Sequence, residues 1–118
     1  MISWIDDYLA IGDDSDSMKH QALRSAGVDL IVDIRNLFYG DEDEPTLKTK
    51  RIAKLLGELS QQGFKILIYC HAGIDRSPFI GMLYLCYKYD IDYAKAYAWV
   101  KEKRPQIVEH WEWVEVIG

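Results

Sequence analysis

The stretch Ile66-Leu67-Ile68-Tyr69-Cys70-His71-Ala72-Gly73-Ile74-Asp75-Arg76-Ser77-Pro78 constrains the fold of this chain more than any other. An apolar, β-like run over 64–69 ends in a cysteine, a short glycine-containing turn follows, and an apolar helix is predicted over 77–89. Pro78 fits the first turn of that helix, where a missing N–H is tolerated. A strand that passes through a tight loop into a helix turns several backbone N–H groups toward one point, which makes a concave anion site. Arg76 follows Cys70 with five residues between them, and its planar fork can hold two oxygens of a phosphate group at once. The same positive field is expected to favour the thiolate of Cys70 over the thiol. Nucleophile and oxyanion cradle then share one loop, as attack by sulfur on a phosphate ester requires.

The flanking sequence places this loop at the rim of a sheet. Residues 4–11 read as one or two short strands broken near Asp6-Asp7, and 17–26 as a helix closed by Gly27. Residues 29–34 form an apolar β-branched run, hence an interior strand. A polar loop over 36–45 carries Asp41-Glu42-Asp43-Glu44. Thr46 is expected to cap a helix over 47–62, in which Ile52, Leu55, Leu56 and Leu59 recur at 3–4 spacing, with Gly63 ending it. Further helices are predicted at 77–89, at 93–103 with Asp92 as cap and a stop before Pro105, and at 109–117. Alternating strands and helices with short connections predict one α/β domain over 1–118, a mostly parallel sheet flanked by helices. Ligands bind such sheets at the C-terminal ends of the strands, which is where Cys70 falls.

Other side chains are read against that loop. Ser77 either starts the helix or donates its hydroxyl to the Cys70 sulfur and stabilises it as a leaving group. A proton donor is needed for the departing alcohol, and the carboxylates of 41–44 and Asp75 are the candidates. His71 is placed at the pocket rim, His20 and His110 at ordinary surface or partly buried positions, and Cys86 in the core of its helix. Trp99, Trp111 and Trp113 are expected to pack the C-terminal helices.

With 14 basic and 19 acidic residues the net charge is −5, which argues against a non-specific nucleic-acid binder. Two cysteines at unrelated positions make neither a disulfide framework nor a zinc site and point to a reducing compartment. No signal peptide or membrane-length apolar stretch is evident. The expectation is a cytoplasmic monomer that meets neither membrane nor nucleic acid and uses no metal or cofactor.

Taken together, these motifs resemble the protein tyrosine phosphatase superfamily in its small dual-specificity branch, over nearly the whole chain. Ile5-Asp6-Asp7-Tyr8-Leu9-Ala10-Ile11-Gly12 resembles that branch's first strands, and 23–33 its next helix and strand. Cys70-His71-Ala72-Gly73-Ile74-Asp75-Arg76-Ser77 matches its signature loop, and Lys103-Arg104-Pro105 a recurring tripeptide after it. The resemblance implies that Cys70 attacks phosphorus to form a cysteinyl-phosphate. It implies that Arg76 and the backbone of His71, Ala72, Gly73, Ile74 and Asp75 hold the phosphate. It places the general acid at Asp41, with Asp43 as fallback.

Two positions depart from the family pattern. Tyr69 replaces the usual histidine before the nucleophile, and Asp75 replaces a small or neutral residue. Asp75 is similar to loops of myotubularin-like lipid phosphatases, which keeps it in view as an alternative acid. The implied activity is hydrolysis of phosphotyrosine, with phosphoserine and phosphothreonine, on a phosphorylated protein or peptide. The competing readings are a phosphatase of a non-protein ester (a nucleic-acid 5′ end, a lipid or a small metabolite) and a catalytically weak phospho-binding module.

Overall fold

The computed structural model describes residues 1–39 and 44–117, with Tyr39 and Glu44 described by backbone alone. Strands β1 (Ser3–Trp4), β2 (Leu9–Gly12), β6 (Ile66–Tyr69) and β3 (Leu30–Asp33) form a sheet in the spatial order β1-β2-β6-β3. β6 pairs in parallel with both β2 and β3, whereas β1 runs antiparallel to β2. The α/β expectation of a mostly parallel sheet therefore holds, but β3, expected as an interior strand, is an edge strand and only partly buried. Register aligns Gly12, Tyr69 and Asp33 in one row at the C-terminal rim, so the chain leaves β6 into Cys70 at the middle of that rim.

Successive strand residues face opposite sides, and both faces of β6 are covered. Ile66 and Ile68 join Leu9 and Ile11 in the main core, while Leu67 and Ala10 pack with Leu23 in a smaller cluster beside Trp4 and Val28. Ile66, Leu67 and Ile68 are completely buried, which is why this stretch reads as continuously apolar rather than alternating.

Helix α4 (Arg76–Tyr89) starts at the signature loop and is buried continuously from Ser77 to Leu85, the pattern of a helix enclosed on all sides. Helix α3 (Lys48–Gln61) lies against it. The buried face of α3 is Thr49, Ala53, Leu56, Gly57 and Ser60, and Leu55 is left exposed, so the stripe is rotated from the one the leucine spacing predicts. Gly57 explains this: a Cβ there would stand 2.8 Å from the Tyr87 ring of α4, and a small residue lets the two helices approach. α5 (Tyr93–Lys103) begins as expected, with the Asp92 carboxylate accepting from the Lys95 N–H at 2.8 Å. α6 (Trp111–Ile117) packs against the short antiparallel pair β4 (Phe38–Tyr39) and β5 (Glu44–Pro45). Phe38, Phe79 and Trp113 meet there with ring centroids 5.2–6.4 Å apart.

Two boundaries differ from expectation. In place of one helix over 17–26 there are two, α1 (Asp14–Ser17) and α2 (His20–Ser25). Asp13 and Asp16 form a reciprocal capping box that starts α1 early, and Lys19, with ψ 61°, separates the two. Gly27 does close α2, at φ 85°. Thr46 does not cap α3 through its side chain. Its carbonyl instead accepts from the Thr49 N–H and hydroxyl, and Leu47 occupies the cap position. Among the described residues no helix is long and apolar enough to cross a membrane.

Candidate active site

The loop leaving β6 is shaped by what its carbonyls bind. The His71 carbonyl accepts from the Asp14 N–H at 3.2 Å, the Gly73 carbonyl from Arg104 Nε at 2.7 Å, and the Ile74 carbonyl from the Val108 N–H at 2.7 Å. Three peptide planes thus turn their oxygens outward. Every peptide bond is trans, so the N–H groups of Ala72, Ile74 and Asp75 point the opposite way from those carbonyls. Among the described residues, no N–H from His71 to Asp75 donates to another protein group. N–H groups left free in this way can receive an anion.

Gly73 is required for this shape. It has φ 68°, and a Cβ there would lie 2.6 Å from Arg104 Nη2 and 2.7 Å from the Gly12 carbonyl oxygen. Arg104 is itself buried, at 3 % exposure. Besides Gly73 it reaches the Met1 and Ile11 carbonyls and the Ser3 hydroxyl, clamping the loop to the first strands. Burial pulls its pKa down, and the Asp16 and Asp13 carboxylates oppose that pull. In the sequence Arg104 stood out only as part of the Lys-Arg-Pro tripeptide; nothing local tied it to Gly73.

Cys70 lies at the floor, 2 % exposed. Its Sγ is 3.2 Å from the Ser77 hydroxyl and accepts from the Ser77 N–H at 3.4 Å. The Ser77 hydroxyl has one proton, and the Gly12 carbonyl is its other acceptor, at 3.4 Å. A thiolate, which can only accept, draws that proton to sulfur. Arg76 is half-buried at the start of α4, and among the described residues its guanidinium pairs with no other group. Tyr69, standing where a histidine is usual, packs instead under Arg35. That guanidinium lies 5.5 Å from the Tyr69 ring centroid and grips Asp33 through two hydrogen bonds of 2.9 and 2.7 Å.

Two histidine–aspartate pairs flank the loop. His71 is exposed, with Nδ1 2.9 Å from Asp14. On the other side, Asp75 Oδ1 is 2.6 Å from His110 Nε2. His110 also contacts Glu112 through Nδ1 at 2.8 Å and stacks on Trp113, centroid to centroid 3.7 Å. The expectation for His110 is an ordinary surface or partly buried histidine; it is partly buried, and it is also bonded to the signature loop. Asp41 and Asp43 lie outside the described residues.

Cys86 does not serve the site. It is half-buried on α4, ten residues beyond Arg76, which at 1.5 Å per residue is roughly 15 Å along the helix. Burial first, then Asp92, pushes its thiol up to about 11. Among the described residues no group of histidine, cysteine and carboxylate side chains is arranged to hold a metal ion. Trp99 and Trp113 pack as expected, Trp99 donating to the Ile5 carbonyl at 2.6 Å, while Trp111 stays 39 % exposed beside Tyr97.

Comparison with known proteins gives a consistent answer. The family model for the dual specificity phosphatase catalytic domain matches residues 13–117. The chain is 24 % identical over 109 residues to the protein-tyrosine-phosphatase IBR5 of Arabidopsis thaliana, covering 84 % of this chain and 42 % of that protein. It thus spans about two-fifths of that relative's length. The crystal structure of human DUSP28 superposes with a TM-score of 0.83 at 21 % identity, covering 98 % of this chain and 91 % of the other. A human tyrosine phosphatase-like serine/threonine/tyrosine-interacting protein superposes with a TM-score of 0.77 at 22 % identity, covering 98 % and 92 %. The chain belongs to the dual specificity phosphatase catalytic-domain family.

Proposed function

We propose that this chain is a cysteine-dependent phosphatase acting on phosphotyrosine, and on phosphoserine and phosphothreonine, in proteins or peptides. The observation that carries the reading is the position of Cys70 Sγ, held by both donors of Ser77 beneath the outward-turned carbonyls of His71, Gly73 and Ile74. In the first step the sulfur attacks phosphorus and the bond to the leaving oxygen breaks, that oxygen taking a proton from an acid. In the second, water attacks phosphorus, the S–P bond breaks, and the acid recovers a proton from the water. Arg76 and the loop amides hold the oxygens throughout. The Ser77 hydroxyl stabilises the departing thiolate.

For the acid we retain Asp41, with Asp43 as fallback. Asp75 is disfavoured because its carboxylate is already engaged by His110. Phe38, three residues before Asp41 in the sequence, packs on Phe79 near the start of α4. An acid on a separate loop can also approach the leaving oxygen from the side opposite the thiolate. Asp41→Asn should slow a phenyl or alkyl ester more than a nitrophenyl ester and remove the alkaline limb of the pH–rate profile. An intact limb in both Asp41→Asn and Asp43→Asn, with its loss in Asp75→Asn, would move the acid into the signature loop.

The decisive experiment is hydrolysis of an aryl phosphate in the presence of a chelator. Wild-type protein should turn over, and Cys70→Ser should not, while still binding phosphate through the amides and Arg76. Turnover abolished by the chelator, or unchanged in Cys70→Ser, would overturn the mechanism. A panel of phosphopeptides, nucleotides and inositol phosphates tests the substrate. Preference for a non-peptide ester by more than ~100-fold, about 2.7 kcal/mol of transition-state discrimination, would replace the protein substrate and leave the chemistry intact.

A further inference from the structure

We propose that His110 is a specificity-determining residue: it neutralises Asp75 inside the signature loop and so sets how strongly the cradle binds a doubly charged anion. This rests on reading the loop as a phosphate site. Both ring nitrogens of His110 face carboxylate oxygens, Nε2 with Asp75 at 2.6 Å and Nδ1 with Glu112 at 2.8 Å. A neutral imidazole offers one donor and one acceptor, and an ionised carboxylate can only accept. Two such contacts therefore call for two N–H groups, the imidazolium. The ring is fixed by the near-parallel Trp113 indole, 8° between planes, a geometry that also favours a cation.

The consequence lies in Asp75. Its backbone N–H belongs to the cradle and its side chain is a negative charge in a loop that must receive a negative ligand. With His110 protonated that charge is offset locally. With His110 neutral it faces the ligand uncompensated, and a dianion is penalised more than a monoanion. Burial works against the charge on His110, but Glu112 and Asp75 more than offset it and raise its pKa above 6.5. The charged groups acting on the ring are those two carboxylates. Of the nearby cations, Lys101 donates to the Ile107 carbonyl and Arg104 is held by Gly73 and the first strands. Arg76 adjoins Asp75 and Glu109 adjoins His110 in sequence, and Lys48 and Arg51 line a separate cavity with Val116 of α6. The side chains of Asp41, Glu42, Asp43 and Glu44 lie outside the described residues.

The test measures binding without turnover. In Cys70→Ser protein, sulfate affinity is titrated between pH 5.5 and 8.5, sulfate remaining a dianion throughout. Affinity should fall about tenfold as pH rises, equal to about 1.4 kcal/mol. His110→Gln, which keeps a hydrogen-bond donor and loses the charge, should bind about tenfold more weakly at pH 5.5 and lose most of the pH dependence. Asp75→Asn should remove the same pH dependence with His110 intact, and adding it to His110→Gln should restore affinity. His71, paired with Asp14 at the other rim, is a second histidine beside the loop, so the component counted is the one that Asp75→Asn abolishes. Sulfate binding that keeps its pH dependence in Asp75→Asn, or that is within twofold of the parent in His110→Gln, overturns the proposal. No sulfate binding at any pH overturns the reading of the loop itself.

Discussion

At the residue scale, the sulfur of Cys70 is defined by Ser77 as much as by its own loop. The Ser77 N–H is fixed by the helix, whereas the hydroxyl is a separable donor, so Ser77→Ala removes one of the two contacts to Sγ and keeps the other. The hydroxyl matters most when the thiolate leaves phosphorus, so the variant should form the intermediate readily and hydrolyse it slowly. We expect a fall of roughly 10- to 100-fold in kcat with a pre-steady-state burst of released alcohol, read by rapid mixing. Equal slowing of burst and steady state would place the hydroxyl's role in the attack instead. Cys70, Arg76 and Ser77 were legible in the sequence because strand, turn and helix put them in one short segment. His110 was not, since it meets Asp75 across 35 positions and neither residue carries a local sign of the other.

At the scale of elements, the loop is held open by its surroundings more than by itself. Its carbonyls are taken up by Asp14 at the start of α1, Arg104 at the end of α5 and Val108 beyond it. Gly73 is where these constraints meet, and Gly73→Ala both forces a side chain to φ 68° and drives a Cβ against Arg104 and the Gly12 backbone. The left-handed conformation alone costs roughly 1–2 kcal/mol. We expect a folded protein, by far-ultraviolet circular dichroism, that has lost phosphate binding. Retained affinity would mean that the amide geometry is not what binds. Helix α5, which Asp92 caps, was legible to the residue. The break between α1 and α2 was not, because it depends on Asp13 and Asp16 closing on each other. The buried stripe of α3 was displaced for a similar reason: Gly57 has no hydrophobicity to read, yet it decides which face meets α4.

Across the whole molecule, two hydrogen-bonded charged clusters at opposite ends of α4, around Asp6 and around His110, shape the dependence of stability on pH. At the end away from the loop, Asp6 accepts from the Tyr84 and Tyr89 hydroxyls and from Lys88, at 2.7–3.0 Å, and caps the Tyr8 and Leu9 N–H groups. Burial alone would raise its pKa, but hydrogen bonds led by Tyr84 reverse that and hold it below 3.8. A depressed carboxylate adds stability that is present above the unfolded value, near 3.8, and is lost as pH falls through the folded one. At the loop end His110 is raised above 6.5. Its stabilisation is complete below 6.5 and disappears as pH rises through the folded value. Urea midpoints measured across pH should therefore form a plateau between these limits and decline on both sides. Asp6→Asn should lower the plateau and flatten the acid decline, leaving the alkaline side unchanged. His110→Gln should flatten the alkaline decline and, because its hydrogen bond holds the Glu112 carboxyl below the usual value, should also ease part of the acid decline. The two sites lie at opposite ends of α4 without shared partners, so the double variant should show the sum of the two losses. A His110→Gln protein that keeps the full alkaline decline would assign that decline to another group and remove the imidazolium from the account of the loop.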